Sequence, residues 1–348
     1  MKKGVKLMQF PLNMDKNENQ YGPAPKCYEI LKNMNIEIFN SYSRDYPKRI
    51  KEKLSEKFKV PFDRIVLGYG SEDILKQSIY FALTEKGQTL AVPDKSWWYY
   101  KAIGEEVGAN ILEYTMVEKD DVFDYDDDQI MDILLNKKPR AIIICTPNNP
   151  TGNILSEERL EKYLKAAGKE TIVILDEAYW GFTQYQYGEQ VVEKYDNVIV
   201  LRTFSKFYAL AGVRIGYAFV GKNLSELKIY NNRYLGYNRI SEELTFAALE
   251  SDDFYISNNK KIMEDAQMIF NELKTMGFKP YKTYANFIMA KLPEKEFNYL
   301  EKELPKKQVI IKFFKEAVFK NFVRISIGTR EQNEYLMKSM KDSLKEMK

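Results

Sequence analysis

The 348-residue chain contains no histidine. This absence removes Ser-His-Asp and Cys-His catalysis, histidine-bound zinc or iron, and imidazole acid–base work together. An enzyme built from this sequence must move protons near neutral pH with a lysine, tyrosine, cysteine or carboxylate, or leave that work to a cofactor. Cysteine is nearly as scarce, with only Cys27 and Cys145. Their spacing fits neither a disulfide scaffold nor a zinc knuckle, so no metal is expected. No apolar run approaches the roughly 18 residues of a membrane span. The N-terminus "MKKGVKLMQFPLNMDKNENQ" lacks the apolar core and small-residue cleavage site of a signal peptide, so a cytoplasmic protein without membrane contacts is expected. An excess of one charge is also missing. Lysine and arginine number 53 against 50 acidic residues, and this net +3 is spread along the chain. No electrostatic footprint for nucleic acid results. The acidic runs "EKDD" and "DYDDDQ" within 118–129 read as a solvated loop and a helix start.

The middle of the chain is filled by short apolar runs separated by amphipathic segments of helix length. "RIVLG" (64–68), "TLAVP" (89–93), "NILEY" (110–114), "AIIIC" (141–145), "TIVILDEA" (171–178), "NVIVLRTFS" (197–205) and "RIGYAFVG" (214–221) read as seven strands. Several are apolar on both faces, which suits a mostly parallel sheet buried between helix layers and an α/β fold. "SEERLEKYLKAAG" (156–168) illustrates the connections, with Ser156 as N-cap, Arg159 in the capping-box region and Gly168 as C-cap. After a helical stretch over about 224–276 come four more strand-like segments, 278–283, 286–292, 308–314 and 321–328, and a last helix. This grouping predicts a small α+β domain at 277–348 beside a large domain at 46–276. Residues 1–45 form an N-terminal segment packing across them.

Ligands of open α/β sheets bind at the carboxyl ends of strands, so the unusual residues just after each strand converge. "GYGSED" (68–73) opens a helix whose free amides favour a phosphate, although a plain strand-to-helix turn has the same composition. "SWWYYK" (96–101) offers Trp97 as a ring to stack on a heteroaromatic group or as an ordinary core residue. In "CTPNNPTGN" (145–153) prolines and glycine make a rigid turn, and the second asparagine, Asn149, exceeds what the turn needs. "LDEAYWGF" (175–182) sets Asp176 at the end of an apolar strand, where a carboxylate needs a cationic partner; Tyr179 lies within reach of the same ligand. "TFSKFYALAGVR" gathers Thr203, Ser205 and Arg214 into a phosphate cup beside Lys206. A poorly solvated lysine near cations has its neutral form favoured, as a nucleophilic amine requires.

Together these segments resemble the fold-type I pyridoxal-phosphate enzymes, specifically class I/II aminotransferases of the histidinol-phosphate aminotransferase type. The resemblance runs in order through "NENQYGPAP" (17–25), "GYGSED", "PNNPTG", "DEAY", "SKFYALAGVRIGY" and "FVRISIGTREQN" (322–333). It implies that pyridoxal 5′-phosphate is the cofactor and that Lys206 links to its aldehyde and shuttles a proton between substrate Cα and C4′. It further implies that Asp176 holds the pyridine nitrogen protonated, Asn149 and Tyr179 bond the phenolic oxygen, and Trp97 stacks on the ring. Ser71, Glu72, Thr203, Ser205 and Arg214 would bind the phosphate. Tyr42 would cross a homodimer interface to the partner's cofactor phosphate, giving shared active sites. Arg324 matches the arginine for the substrate's carboxylate or phosphate, and Tyr21 a substrate-lining tyrosine.

Four positions depart from the family pattern. Gln308 and Lys312 replace the usual glycine and arginine in a segment like "GVIVR", Gln20 replaces a proline, and Tyr69 an asparagine. Lys312 keeps the charge of an arginine without its planar fork. Transamination between glutamate and a small phosphorylated or carboxylated partner is the leading reading. A decarboxylase of serine or threonine phosphate is the alternative; it fits Lys312 and the segment "NNRYLGYNR" (231–239), with Arg233 and Arg239 as a second anion site. A third reading is a non-enzymatic protein that kept the fold.

Overall fold

The computed structural model describes residues 10–43, 48–183, 187–230 and 236–347. All seven expected strands pair into one sheet, ordered in space Ile65–Gly68, Gly216–Val220, Val198–Thr203, Ile172–Asp176, Ala141–Cys145, Thr89–Pro93 and Asn110–Tyr114. Gly216–Val220 runs antiparallel to both neighbours, and the other pairings are parallel. Every residue of the four strands from Ala141 to Val220 is buried. Helices cover both faces, so these strands have no polar alternation and read as continuous β-branched runs.

A second, five-stranded sheet is ordered Leu12–Met14, Val309–Phe313, Phe322–Ser326, Phe287–Lys291, Lys279–Pro280. The segment 278–283 contributes only two residues to it. The edge strand Leu12–Met14 pairs in parallel with Val309–Ile311 and went unrecognised in the sequence, because three residues carry too little periodicity. The expected 224–276 helix is divided into Leu227–Tyr230, Arg239–Leu249 and Asp252–Thr275. Arg233 lies outside the described residues.

The acidic stretch is a different object from the expected loop. Met116–Lys119 and Val122–Tyr125 form an antiparallel hairpin, because Phe123 and Tyr125, alternate along the strand, are buried at 2% and 1% exposure. Asp126 then caps the helix Asp127–Asp132 by accepting from Gln129 N. Ser156 and Gly168 do bound the helix Glu157–Ala167 as read, with Ser156 Oγ accepting from Arg159 N. The Arg159 side chain leaves the cap to bridge Asp124 and Asp127 at 2.7 and 2.6 Å.

Gln308 follows the helix Glu294–Lys306 with φ of 57°. Its N–H donates to Pro305 O at 3.0 Å and its carbonyl accepts from Leu12 N at 2.8 Å. A left-handed residue after a helix is glycine's ordinary place, so glutamine here bears a strain of roughly 1 kcal/mol. Its departure from the family pattern therefore concerns a helix terminus.

Along Val198–Thr203, successive side chains point to opposite faces. Thr203 points toward a cavity described below, and Arg202 into the opposite layer, 1% exposed. There its Nε donates to Glu177 at 2.7 Å and its Nη atoms to Glu189 at 2.7 and 3.1 Å. The guanidinium lies 4.6 Å from the Trp180 ring and 5.1 Å from Phe58. This buried cluster braces the two strand ends that carry Asp176 and Thr203. Arg202→Ala leaves the buried Glu177 and the half-buried Glu189 without their cation. Chemical unfolding should report a loss of roughly 3–5 kcal/mol; a loss below about 1 kcal/mol would show that the cluster does not brace the sheet.

Candidate active site

A cavity of about 660 Å³ opens at the carboxyl ends of the parallel strands, with walls from both sheets and from residues 15–18. It is lined by Ser71, Glu72, Trp97, Asn149, Asp176, Tyr179, Thr203, Ser205, Lys206, Arg214, Lys312 and Arg324. Residues spread over more than 250 positions thus meet in one place, because most follow or end strands of the large sheet, Arg214 shortly precedes one, and Lys312 and Arg324 lie within strands of the second sheet.

One end of the cavity is a ready anion cup. Gly70 is the first residue of the helix Gly70–Ala82 and has φ of 81°. A Cβ there would fall 2.7 Å from Arg214 Nη2, and one on Gly216 would fall 2.4 Å from Ser71 N. Two glycines thereby let the helix start and the neighbouring strand approach closely, leaving free amides at the mouth of the cup. Thr203 Oγ1 donates to Ser205 Oγ at 3.0 Å, and Ser205 N donates to Thr203 Oγ1 at 3.1 Å. The Arg214 contacts are all long, 3.5 Å to Ser205 Oγ, 3.2 Å to Ala211 O and 3.4 Å to Tyr69 O. Glu72 stands 3.7 Å away. A guanidinium so weakly engaged is available to an incoming dianion.

Asp176 forms the floor. Its Oδ2 accepts from Tyr100 OH at 2.7 Å and its Oδ1 from Ala178 N at 2.9 Å. At 4% exposure it has no ion pair with any described residue. Burial raises its pKa above the ordinary carboxylate value, and the two donors oppose that rise. A buried carboxylate without a cation, aimed into a cavity, fits a cationic ring nitrogen.

Lys206 reaches across the cavity, its Nζ donating to Lys16 O at 2.9 Å. The residue is half-buried, and protein surrounds the amine on most sides. Desolvation first, then Arg324 and Arg214, hold its pKa at about 8, with Glu18 opposing. Tyr179, 5% exposed, accepts from Asn17 Nδ2 at 2.7 Å, and burial pushes its phenol up to about 12. Asn148 is consumed by the turn, bonded to Lys95 O, Thr151 Oγ1 and Ser96 Oγ. Asn149 instead faces the cavity, and its Oδ1 accepts from Arg324 Nη1 at 2.5 Å. Arg324 Nη2 donates to Asp15 O at 2.6 Å, while its buried Nε has no partner. Lys312 lies opposite Arg324 in the sheet register, on the same wall.

Two expected residues stay outside this cavity. Tyr42 is 68% exposed on the surface. Tyr21 is half-buried under Lys261, whose Nζ is 5.7 Å from the ring, and burial beside Asp265 pushes its phenol up to about 12. Gln308 is likewise absent from the lining, and Arg239 sits 3.9 Å from Glu242 away from it. Sequence reasoning missed Asn17 and Tyr100. Tyr100 was visible in "SWWYYK", and its three-residue spacing from Trp97 was the available signal.

The family described as aminotransferase class I and II matches residues 11–340. The chain belongs to the class I and II aminotransferases. It is 31% identical over 336 residues to histidinol-phosphate aminotransferase 2 of Carboxydothermus hydrogenoformans, covering 94% of this chain and 91% of that one. It is 30% identical over 334 residues to the histidinol-phosphate aminotransferase of Ruminiclostridium cellulolyticum, covering 94% and 91%. Among solved structures, histidinol-phosphate aminotransferase from Sinorhizobium meliloti in complex with pyridoxal 5′-phosphate superposes with a TM-score of 0.87 at 20% identity, over 98% of this chain and 92% of that one.

Pyridoxal 5′-phosphate is the cofactor of this aminotransferase. The cup, the uncompensated Asp176 and the amine of Lys206 match its phosphate, ring nitrogen and aldehyde in chemical type. Burying the Lys206 ammonium has a cost that the cofactor-free protein bears below its folded pKa. Between about 8 and the ordinary lysine value of 10.5 the unfolded chain holds a proton that the folded chain has lost, so this group makes stability rise with pH there. Cofactor-free Lys206→Met should melt higher than the wild type at pH 7, with the gap narrowing from about pH 8 to about pH 10.5. A gap that stays constant across that range would contradict the depressed pKa.

Proposed function

We propose that this aminotransferase exchanges an amino group between glutamate or 2-oxoglutarate and a small phosphorylated or carboxylated partner resembling histidinol phosphate. The observation that carries the reading is Arg324, with an unpartnered buried Nε, on the same wall as Lys312 and across the cavity from Lys206. A planar guanidinium takes a carboxylate or phosphate in two parallel bonds. Its present acceptors, Asn149 Oδ1 and Asp15 O, are neutral and would yield to an anion.

When bound, the cofactor supplies an electron sink for the pair released at the substrate's Cα. In this reading Ser71 N, Glu72 N, Thr203, Ser205 and Arg214 grip its phosphate and fix the ring. Asp176 would hold a proton on the ring nitrogen, Trp97 would stack on the ring, and Asn149 and Tyr179 would bond the phenolic oxygen. Asn17, donating to Tyr179 OH, leaves that hydroxyl's own proton free to point at the ring oxygen. Lys206, whose burial beside Arg324 favours the neutral amine, would take the proton from Cα and return it at C4′. Arg324 orients the substrate carboxylate, and Lys312 meets a second anion as a point charge.

A homodimer with shared sites is part of the proposal. Tyr42, Ile36, Phe39, Leu31 and Tyr28 are 68%, 78%, 45%, 47% and 55% exposed along one N-terminal stretch. Such a run of exposed apolar residues suits a subunit interface, and Tyr42 there could reach a partner's cup. A large domain at 46–276, a small one at 277–348 and an N-terminal segment at 1–45 remain our division of the chain. Among the described residues no helix is long and apolar enough to cross a membrane, and a cytoplasmic setting is proposed from the enzyme class. The decarboxylase alternative drew on Arg233 and Arg239. Arg239 is engaged with Glu242 outside the cavity, while Arg233 lies outside the described residues.

Adding glutamate to the cofactor-loaded protein should convert its visible absorption to that of the pyridoxamine form, and Lys206→Ala should abolish turnover. No spectral change with any amino donor would sink the reading. Lys312→Ala should raise KM for a phosphorylated or dicarboxylic substrate about tenfold while leaving kcat nearly unchanged, as loss of uniform binding does. An unchanged KM across such substrates would remove Lys312 from the site.

A further inference from the structure

Asp176 is supported in a way the resemblance does not supply. Behind a carboxylate that must hold a cationic ring, a charged or imidazole partner could set its strength, but this chain has no histidine and Asp176 has no ion pair among the described residues. Its support is a phenol. Tyr100 lies in the helix Tyr99–Glu106, is 1% exposed, and donates to Asp176 Oδ2 at 2.7 Å. The Trp97 ring stands edge-on to its ring with centroids 5.7 Å apart, and the buried Cys145 thiol lies beside the hydroxyl.

We propose that Tyr100 is a positioning residue that decides where one proton lies, on the pyridine nitrogen of the cofactor or on Asp176. The inference rests on Asp176 as the partner of that nitrogen. Between the two groups there is one proton. It sits either on the nitrogen, leaving both electrons of the broken O–H bond on the carboxylate, or on the carboxyl oxygen, leaving the nitrogen lone pair free. Both arrangements hold the same number of protons, so bulk pH does not choose between them. Local donors choose, because a hydrogen bond to an anion is stronger than one to a neutral acid. The Ala178 amide on Oδ1 and Tyr100 on Oδ2 both favour the carboxylate and hence the charged ring. Burial and the neighbouring Asp176 raise the Tyr100 phenol well above its ordinary value, so it stays a donor. Only the protonated ring is a strong electron sink, so the phenol acts on the chemistry without touching the substrate.

The plain alternative is a core tyrosine that fills space beside Trp97. The two are separated by loading the enzyme with pyridoxal phosphate labelled with nitrogen-15 in the ring and reading the ring-nitrogen chemical shift. Wild type should give a protonated nitrogen. Tyr100→Phe, which keeps the ring and loses the donor, should move the signal toward neutral pyridine and lower kcat by roughly ten- to a hundredfold with little change in KM. Replacing Tyr100 with difluorotyrosine, a stronger donor of nearly the same size, should move the signal the other way, and this variant serves should the phenylalanine form fail to fold. A protonated wild-type nitrogen whose shift is unchanged in these variants overturns the inference and leaves the Asp176 reading standing. A neutral nitrogen in the wild type overturns both.

Discussion

The arrangement turns on a single electrostatic deficit, the carboxylate of Asp176 buried at a strand end without a cation. A folded chain keeps such a group only where something offsets its desolvation. Here two neutral donors offset part of it, and the cavity is left to receive a cationic ring. Everything around that point has a complementary chemistry. The cup of helix amides, hydroxyls and Arg214 takes negative charge, and Lys206 is kept short of its ordinary proton affinity. A cofactor with a phosphate, an aldehyde and a basic ring nitrogen meets all three demands at once.

Two of the cationic groups of the site engage backbone carbonyls of one short segment. Lys206 donates to Lys16 O and Arg324 to Asp15 O. That segment is held by Asn17, whose N–H donates to Ser326 Oγ and whose carbonyl accepts from Asn286. The edge strand Leu12–Met14, paired to Val309–Ile311, brings it there. The second sheet therefore carries Lys312 and Arg324 and also fixes the N-terminal wall opposite them.

Strand identity in the large sheet was legible because strands buried on both faces are written as unbroken apolar runs. The residues proposed to hold the cofactor, which line one cavity, stood out because most sit in short segments at strand ends, where glycine, proline and charge interrupt those runs. The acidic hairpin was misread because "EKDD" and "DYDDDQ" conceal the period-two pattern of Phe123 and Tyr125 behind charged neighbours. Gln308 stood out as a departure from the family pattern and is a left-handed residue after a helix, which a one-letter comparison cannot reveal.

By itself the sequence determined the α/β class, the exclusion of histidine chemistry and the segment around Lys206, since each depends on residue types and local spacing. Tertiary structure decided which side chains face one another across distant positions. Asn149 rather than Asn148 meets Arg324, Asn17 holds Tyr179, and Tyr100 holds Asp176 from a helix 76 residues earlier. Hydrogen bonds of that kind depend on how the two sheets and the helix starts are packed, and no local pattern of residues encodes them.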